Sequence, residues 1–172
     1  MGDVEMCELT QEKLKSLLYY DPETGIFTRK KGGGGVAAGS VAGGINGQGY
    51  INIKIGGKTF KAHRLAFLYT YGYMPEMVDH KNLNRADNRL SNLRAANRAQ
   101  NGQNSNMRID NASGVKGVSW EKRLKKWVAR CTCNGHENWL GAHERKEDAI
   151  EAVRLFREKT HGEFANHGEA AQ

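Results

Sequence analysis

The chain has 172 residues, 38% of them apolar, with a formal net charge of +7 and a pI near 9.4. That length is one medium domain or two small ones, and the composition suits small compact modules better than one large core. The basic balance fits a polyanionic partner, while the lack of any apolar run of about 18 residues excludes a membrane-spanning helix.

The N-terminus shows no signal-peptide core. Cys7, Cys131 and Cys133 have no metal-type spacing, so they read as reduced thiols of a cytosolic protein. Cys131 and Cys133 alternate along an expected strand and should share one face. Charge is uneven. Residues 113–135 hold six Lys and Arg against one acid, a net +5, whereas residues 136–172 are net −3. The positive field lies in the middle of the chain.

Residues 10–19 read as a helix capped by Thr10, with Leu9 and Leu14 at the staple positions and Leu14, Leu17 and Leu18 on the apolar face. "DPETG" (21–25) is a turn, in which Pro22 presets φ and Gly25 supplies a positive one. A strand is expected at 26–28. Residues 32–49 hold nine glycines in eighteen positions. They lack both GK[ST] and GxGxxG, so a flexible loop with a short strand at 36–40 fits better than a phosphate cradle. "YINIKIGGKTFKA" (50–62) reads as a hairpin turning at Gly56-Gly57, with Ile51, Ile53 and Ile55 on one face. Residues 63–72 then form a helix with Leu65, Leu68 and Tyr69 as its stripe and Gly72 as its stop. His63 opens it, placed for a phosphate contact or for a structural hydrogen bond.

"VDHKNLNRADNRLSNLR" (78–94) offers almost nothing to bury. The spacing predicts a short strand ending at His80, a polar loop to Asn92, a return strand at 93–95 and a helix capped by Asn97 and running to about 104. A loop this polar leaves backbone groups to be paired, and Asn88 and Asn92 have amides suited to that. Phosphodiester hydrolysis needs a divalent metal and a base that activates water. Asp79 is a hard oxygen ligand, His80 a base of ordinary pKa near 6.5, and Asn101 a second oxygen donor one turn into the helix.

"VDHKNLNRADNRLSNLRAANRAQN" resembles the HNH nuclease motif of phage homing endonucleases, and "YDPETGIF" and "GGKTFKAHRLAF" resemble the N-terminal parts of such proteins. The resemblance covers about 9–105 and implies a ββα-metal fold. By it, His80 is the general base, Asn92 the loop brace, and Asp79 and Asn101 the metal ligands, for Mg²⁺ or another divalent ion such as Mn²⁺. His80 and Asn101 are 21 residues apart, which suits the family pattern, and Asn stands at the last position, a variant the family also uses.

Residues 113–166 read as three strands (115–120, 126–133 and 138–140) and a helix at 146–160 with Ala149, Ala152, Val153 and Phe156 as its stripe. The +5 lies on the sheet segment, so the face the helix leaves open should meet DNA. Arg157 is taken as an ordinary charge on the helix side. "GVKGVSW", "KKWVAR", "WLG" and the alanine-bearing helix resemble the APETALA/ethylene-response-factor (ERF-type) DNA-binding domain, whose sheet lies in the major groove. That resemblance implies Lys116, Ser119, Trp120, Lys126, Arg130, Thr132 and Trp139 as DNA-binding residues. Trp127 is expected in the core, while Trp120 and Trp139 fit either core or DNA.

The expected class is α+β: a nuclease module at 1–104, a linker at 105–112, an ERF-type module at 113–166 and a disordered tail at 167–172. The expected function is site-specific, metal-dependent cleavage of double-stranded DNA by a monomer, in the cytoplasm of a bacterial host and encoded by a phage. The alternative is a sequence-specific DNA-binding regulator whose nuclease module is inactive.

Overall fold

The computed structural model describes residues 9–104, 107 and 111–168. The fold is mixed α+β, with every paired strand antiparallel where a register is defined. It divides into two compact units. The first takes Met1–His80 and Asn84–Ala95, and the second takes Lys81–Leu83 and Ala96–Gln172.

The first unit opens with α1 (Gln11–Leu17), where the Thr10 hydroxyl accepts from the Lys13 amide at 3.2 Å. The helix stops before the expected end. Leu18 is already extended at ψ 153° and starts β1 (Leu18–Asp21), which pairs with β2 (Ile26–Arg29). Leu18 therefore reaches the core from a strand, with Tyr20 beside it. No strand forms at 36–40. Gly34 and Gly35 take positive φ and fold the segment into a tight turn closed by a Gly33–Val36 bridge. The short β3 (Gly44–Ile45) comes later and joins β4 (Ile51–Ile55) and β5 (Lys58–Lys61) in order β3-β4-β5. The β4–β5 hairpin turns at Gly56-Gly57, both with φ > 0, which is what a two-residue primed turn requires.

Next come α2 (Ala62–Tyr71), closed by Gly72 at φ 80°, and β6 (Met77–His80), which pairs with β7 (Leu93–Ala96). Leu14, Leu18, Tyr20, Phe27, Ile53, Leu65 and Leu68 form the core, joined by Val78 and Leu93 from β6 and β7. The Tyr20 ring stacks on Phe27 at 4.6 Å.

In the second unit, α3 (Arg98–Gln103) starts in a full capping box between Asn97 and Gln100. The unit boundary falls before α3 and not after residue 104. The C-terminal end of α3 explains this, since the Lys116 ammonium donates to Gln103 O at 3.1 Å and the Asn166 amide to Asn104 Oδ1 at 2.9 Å. Three strands follow in order β10-β9-β8: β8 (Val118–Glu121), β9 (Lys126–Cys133) and β10 (His136–His143). β8 begins later than expected because Gly117 sits at φ 83°, and a Cβ there would meet Arg130 O at 2.5 Å. β10 runs longer, with a register irregularity between Trp139 and Gly141. α4 (Lys146–His161) packs Ala149 and Val153 onto Val118 and Ala129. The expected disordered tail lies outside the described residues from 169 on, as does most of the linker.

Gly25 couples the first turn to the polar loop. At φ 74°, a Cβ on it would meet Arg89 N and Asn88 C, each at 2.4 Å. Gly25→Ala is expected to cost more than about 1 kcal/mol, read as a lowered urea midpoint at unchanged m-value.

Candidate active site

β6 carries the sequence Met-Val-Asp-His to its end, and its last three side chains are buried. Asp79 is 4% exposed and His80 is 5% exposed. A buried carboxylate needs a partner. Arg94 supplies it from β7, with Nε at 2.8 Å and NH2 at 2.7 Å, both on Asp79 Oδ2. Sequence reasoning gave Arg94 no role. Its signal was there in principle, since a buried acid on one strand calls for a cation on the strand beside it.

His80 lies among aromatic rings. The His63 imidazole meets it edge-on with centroids 5.0 Å apart, and Tyr50 lies 6.1 Å from it. Burial is the main force lowering the His80 pKa below its ordinary value, against the Asn88 contact and the nearby Asp79 and Asp87 charges. His63 is pushed down to about 3, first by burial and then by the fields of His80, Lys61 and Arg64. Both imidazoles are therefore neutral at neutral pH. For His80, that is the form a general base needs. His63 is buried in α2, with Nδ1 holding no hydrogen bond, which fits neither a surface phosphate contact nor a complete structural hydrogen-bond set.

The loop from 81 to 92 is stitched by its own amides. Asn92 Nδ2 donates to Asp87 O at 2.8 Å, and Asn88 Nδ2 donates to Ala86 O at 3.1 Å. Asn88 Oδ1 faces His80 Nε2 in a long contact of 3.5 Å. The Tyr20 hydroxyl donates to Asn88 O at 2.8 Å, and the Leu90 amide to Pro22 O at 2.9 Å, which tie the loop to the first hairpin. Asp87 takes Arg89 in a two-point fork at 2.8 and 2.6 Å. A segment expected to bury almost nothing thus buries Val78, Asp79, His80, Asn88, Asn92 and Leu93.

Asp79, His80 and Asn92 all lie in the first unit, where Asn88 is the loop amide that faces His80 and Asn92 bonds Asp87 O. Asn101 stands one turn into α3, in the second unit. Among the described residues, no three His, Cys, Asp or Glu side chains converge as a metal cluster. The expected donor set is smaller and of a different kind: one buried carboxylate and one amide oxygen. Those are hard donors, the chemistry that suits Mg²⁺, an ion that keeps several waters.

In the second unit, register sorts the expected DNA-binding residues. Arg130 lies opposite Trp139, Thr132 opposite Glu137, and Ser119 opposite Val128. Alternation along β9 puts Lys126, Arg130 and Thr132 on the face away from α4, together with Ser119 and Trp139. Trp139 is 54% exposed, with the Arg130 guanidinium 5.3 Å from its ring centroid. Trp120 pairs with Trp127 and shares the face of Val118 and Ala129, which α4 covers. Lys116 is half-buried, with its ammonium on Gln103 O and its pKa lowered to about 8, first by burial and then by Arg157. Arg157 is not the solvent-facing charge expected. It is 4% exposed and donates from NH2 to Lys116 O at 2.9 Å. Cys131 is buried and Cys133 half-buried, and alternation along β9 puts both on one face, as expected.

Comparison with known proteins adds the class. Residues 60–103 match the family model described as HNH endonuclease. Protein 3.8 of Escherichia phage T7 is 33% identical over 91 residues, which cover 51% of this chain and 72% of that protein. The structure entitled "DNA binding and cleavage by the HNH homing endonuclease I-HmuI" aligns over 88% of both chains at 22% identity, with a TM-score of 0.43. The chain belongs to the HNH endonuclease family. The matched segment runs from the end of β5 through α3 and contains the whole Asp79–His80 loop.

Arg94→Ala would leave the Asp79 carboxylate buried without its guanidinium. Losing one partner of such a pair costs about 3–5 kcal/mol, and chemical denaturation of the variant against wild type is the measurement.

Proposed function

We propose that the protein is a site-specific DNA endonuclease that hydrolyses a phosphodiester with a divalent metal ion. The observation that carries this reading is the buried Asp79–His80 pair at the end of β6, inside the segment that matches the HNH family. Asp79 and Asn101 are the residues that would hold the ion, which supplies Lewis-acid polarisation of the phosphate and offsets charge on the leaving oxygen. His80, neutral through burial, takes the proton of the attacking water. Asn92 braces the loop through Asp87 O, and Arg94 fixes the Asp79 carboxylate through Oδ2.

The second unit acts in this reading as an ERF-type anchor that lays the open face of its sheet on double-stranded DNA. Support comes from the exposed Ser119, Arg130, Thr132 and Trp139 and from the net +5 of residues 113–135. Lys126 adds a cation on the same face and Lys116 a charge held at Gln103, while Trp120, on the α4 side, would reach DNA only from the sheet edge with its exposed indole. In this reading the protein is encoded by a phage and works as a monomer in the cytoplasm of a bacterial host. Support for that setting is the relative from phage T7.

Plasmid cleavage with Mg²⁺ or Mn²⁺ tests the reading. His80→Ala is expected to lower the rate by roughly 10²–10⁴-fold while duplex binding persists, and excess chelator is expected to stop the wild type. Cleavage in chelator, or a wild type that binds DNA and never cuts it with any divalent ion, contradicts it. The second outcome is that of a regulator with an inactive nuclease module.

A further inference from the structure

Tyr50 lies just before β4, and its ring carries two cations. Lys61 Nζ is 4.2 Å from the ring centroid and the Arg85 guanidinium carbon is 5.0 Å from it. The same ring is 5.3 Å from His63 and 6.1 Å from His80. Lys61 ends the β4–β5 hairpin, and Arg85 belongs to the polar loop, so two segments distant in sequence bring positive charge to one place.

Both cations are exposed, and among the described residues neither forms an ion pair. Neither is loose. Arg85 NH1 donates to Gln48 O at 3.0 Å, and its side chain runs past Gly49, where an added Cβ would lie 3.9 Å from Arg85 Cβ. Lys61 is the N-cap residue of α2 but makes no side-chain cap bond. A cation over an aromatic face is oriented at small cost and keeps its charge. An exposed charge that forms no ion pair is available to an external anion. Both charges are also felt at the imidazoles, Lys61 at His63 and Arg85 at His80.

We propose that Lys61 and Arg85, held on Tyr50, form a clamp that seats the phosphodiester backbone of the substrate strand beside His80. They are positioning residues, and the proposal rests on the nuclease reading above. The ring sets their direction, the two charges neutralise backbone phosphate, and the strand is thereby brought to the base. Direct contacts of this kind position nucleic acid without reading its sequence.

The test uses the full chain and a labelled duplex. Binding is titrated across salt concentrations in chelator, where no cutting is required, and cleavage kinetics are measured separately with Mg²⁺. Lys61→Gln and Arg85→Gln are each expected to flatten the salt slope by about one unit. Each should raise KM while kcat holds, the signature of lost uniform binding. Arg85→Lys, which restores the charge, should restore the slope. Lys13→Gln, an exposed charge change on α1, is the control and should leave KM unchanged. If the two variants leave slope and KM at wild-type values, or change them no more than Lys13→Gln does, the clamp is refuted. A wild type that binds but never cuts sinks the nuclease reading instead, and the clamp is then judged on the slope alone.

Discussion

The first unit depends on one constraint: a carboxylate and an imidazole are buried side by side at the end of a strand. Water no longer solvates either group, so the protein must replace that solvation. For Asp79 it does so with the Arg94 guanidinium on the neighbouring strand. For His80 the answer is different, because burial drives the ring to its neutral form among His63, Tyr50 and Asn88. Two adjacent residues thus leave the same strand end with different charge: a carboxylate held by a guanidinium, and an uncharged ring. A fixed anion beside a neutral base is the division of labour that hydrolytic chemistry at neutral pH requires.

The rest of the first unit serves this arrangement. β6 and β7 hold Asp79 and Arg94 in register, and their apolar members Val78 and Leu93 sink into the core of α1, α2 and the hairpins. The connecting loop buries none of its few apolar residues, so amide–carbonyl bonds within it and the Tyr20 hydroxyl hold it. Gly25 is glycine because the loop backbone passes where a Cβ would be. Side-chain networks of this kind define a conformation only when their members are satisfied together.

Much of this was legible in the sequence, and the failures share causes. The Gly56-Gly57 hairpin, the Gly72 stop and the Asn97 cap follow from local backbone chemistry and appear as read. Leu18 went wrong because a leucine at helical spacing also fits a strand, and tertiary pairing with Arg29 decided the matter. The 36–40 strand failed because four consecutive glycines favour a turn. For the polar loop, polarity alone predicts exposure and misses its burial. Burial there depends on partners such as Arg94 and Tyr20, which lie far along the chain from the groups they satisfy. Arg157 misled in the same way, since a helix charge looks solvent-facing until its carbonyl partner is known. Faces of the second sheet were half legible: alternation paired Arg130 with Thr132, but only the register separated Trp139 from Trp120.

The central claim is that His80 and His63 form a buried, neutral imidazole pair. Titrating the side-chain resonances of both rings by NMR in metal-free protein measures it directly. The account predicts that the midpoint of His80 lies below the ordinary histidine value of 6.5, and that His63 stays unprotonated to far lower pH, toward about 3. Two rings that titrate near 6.5, as exposed histidines do, would contradict it.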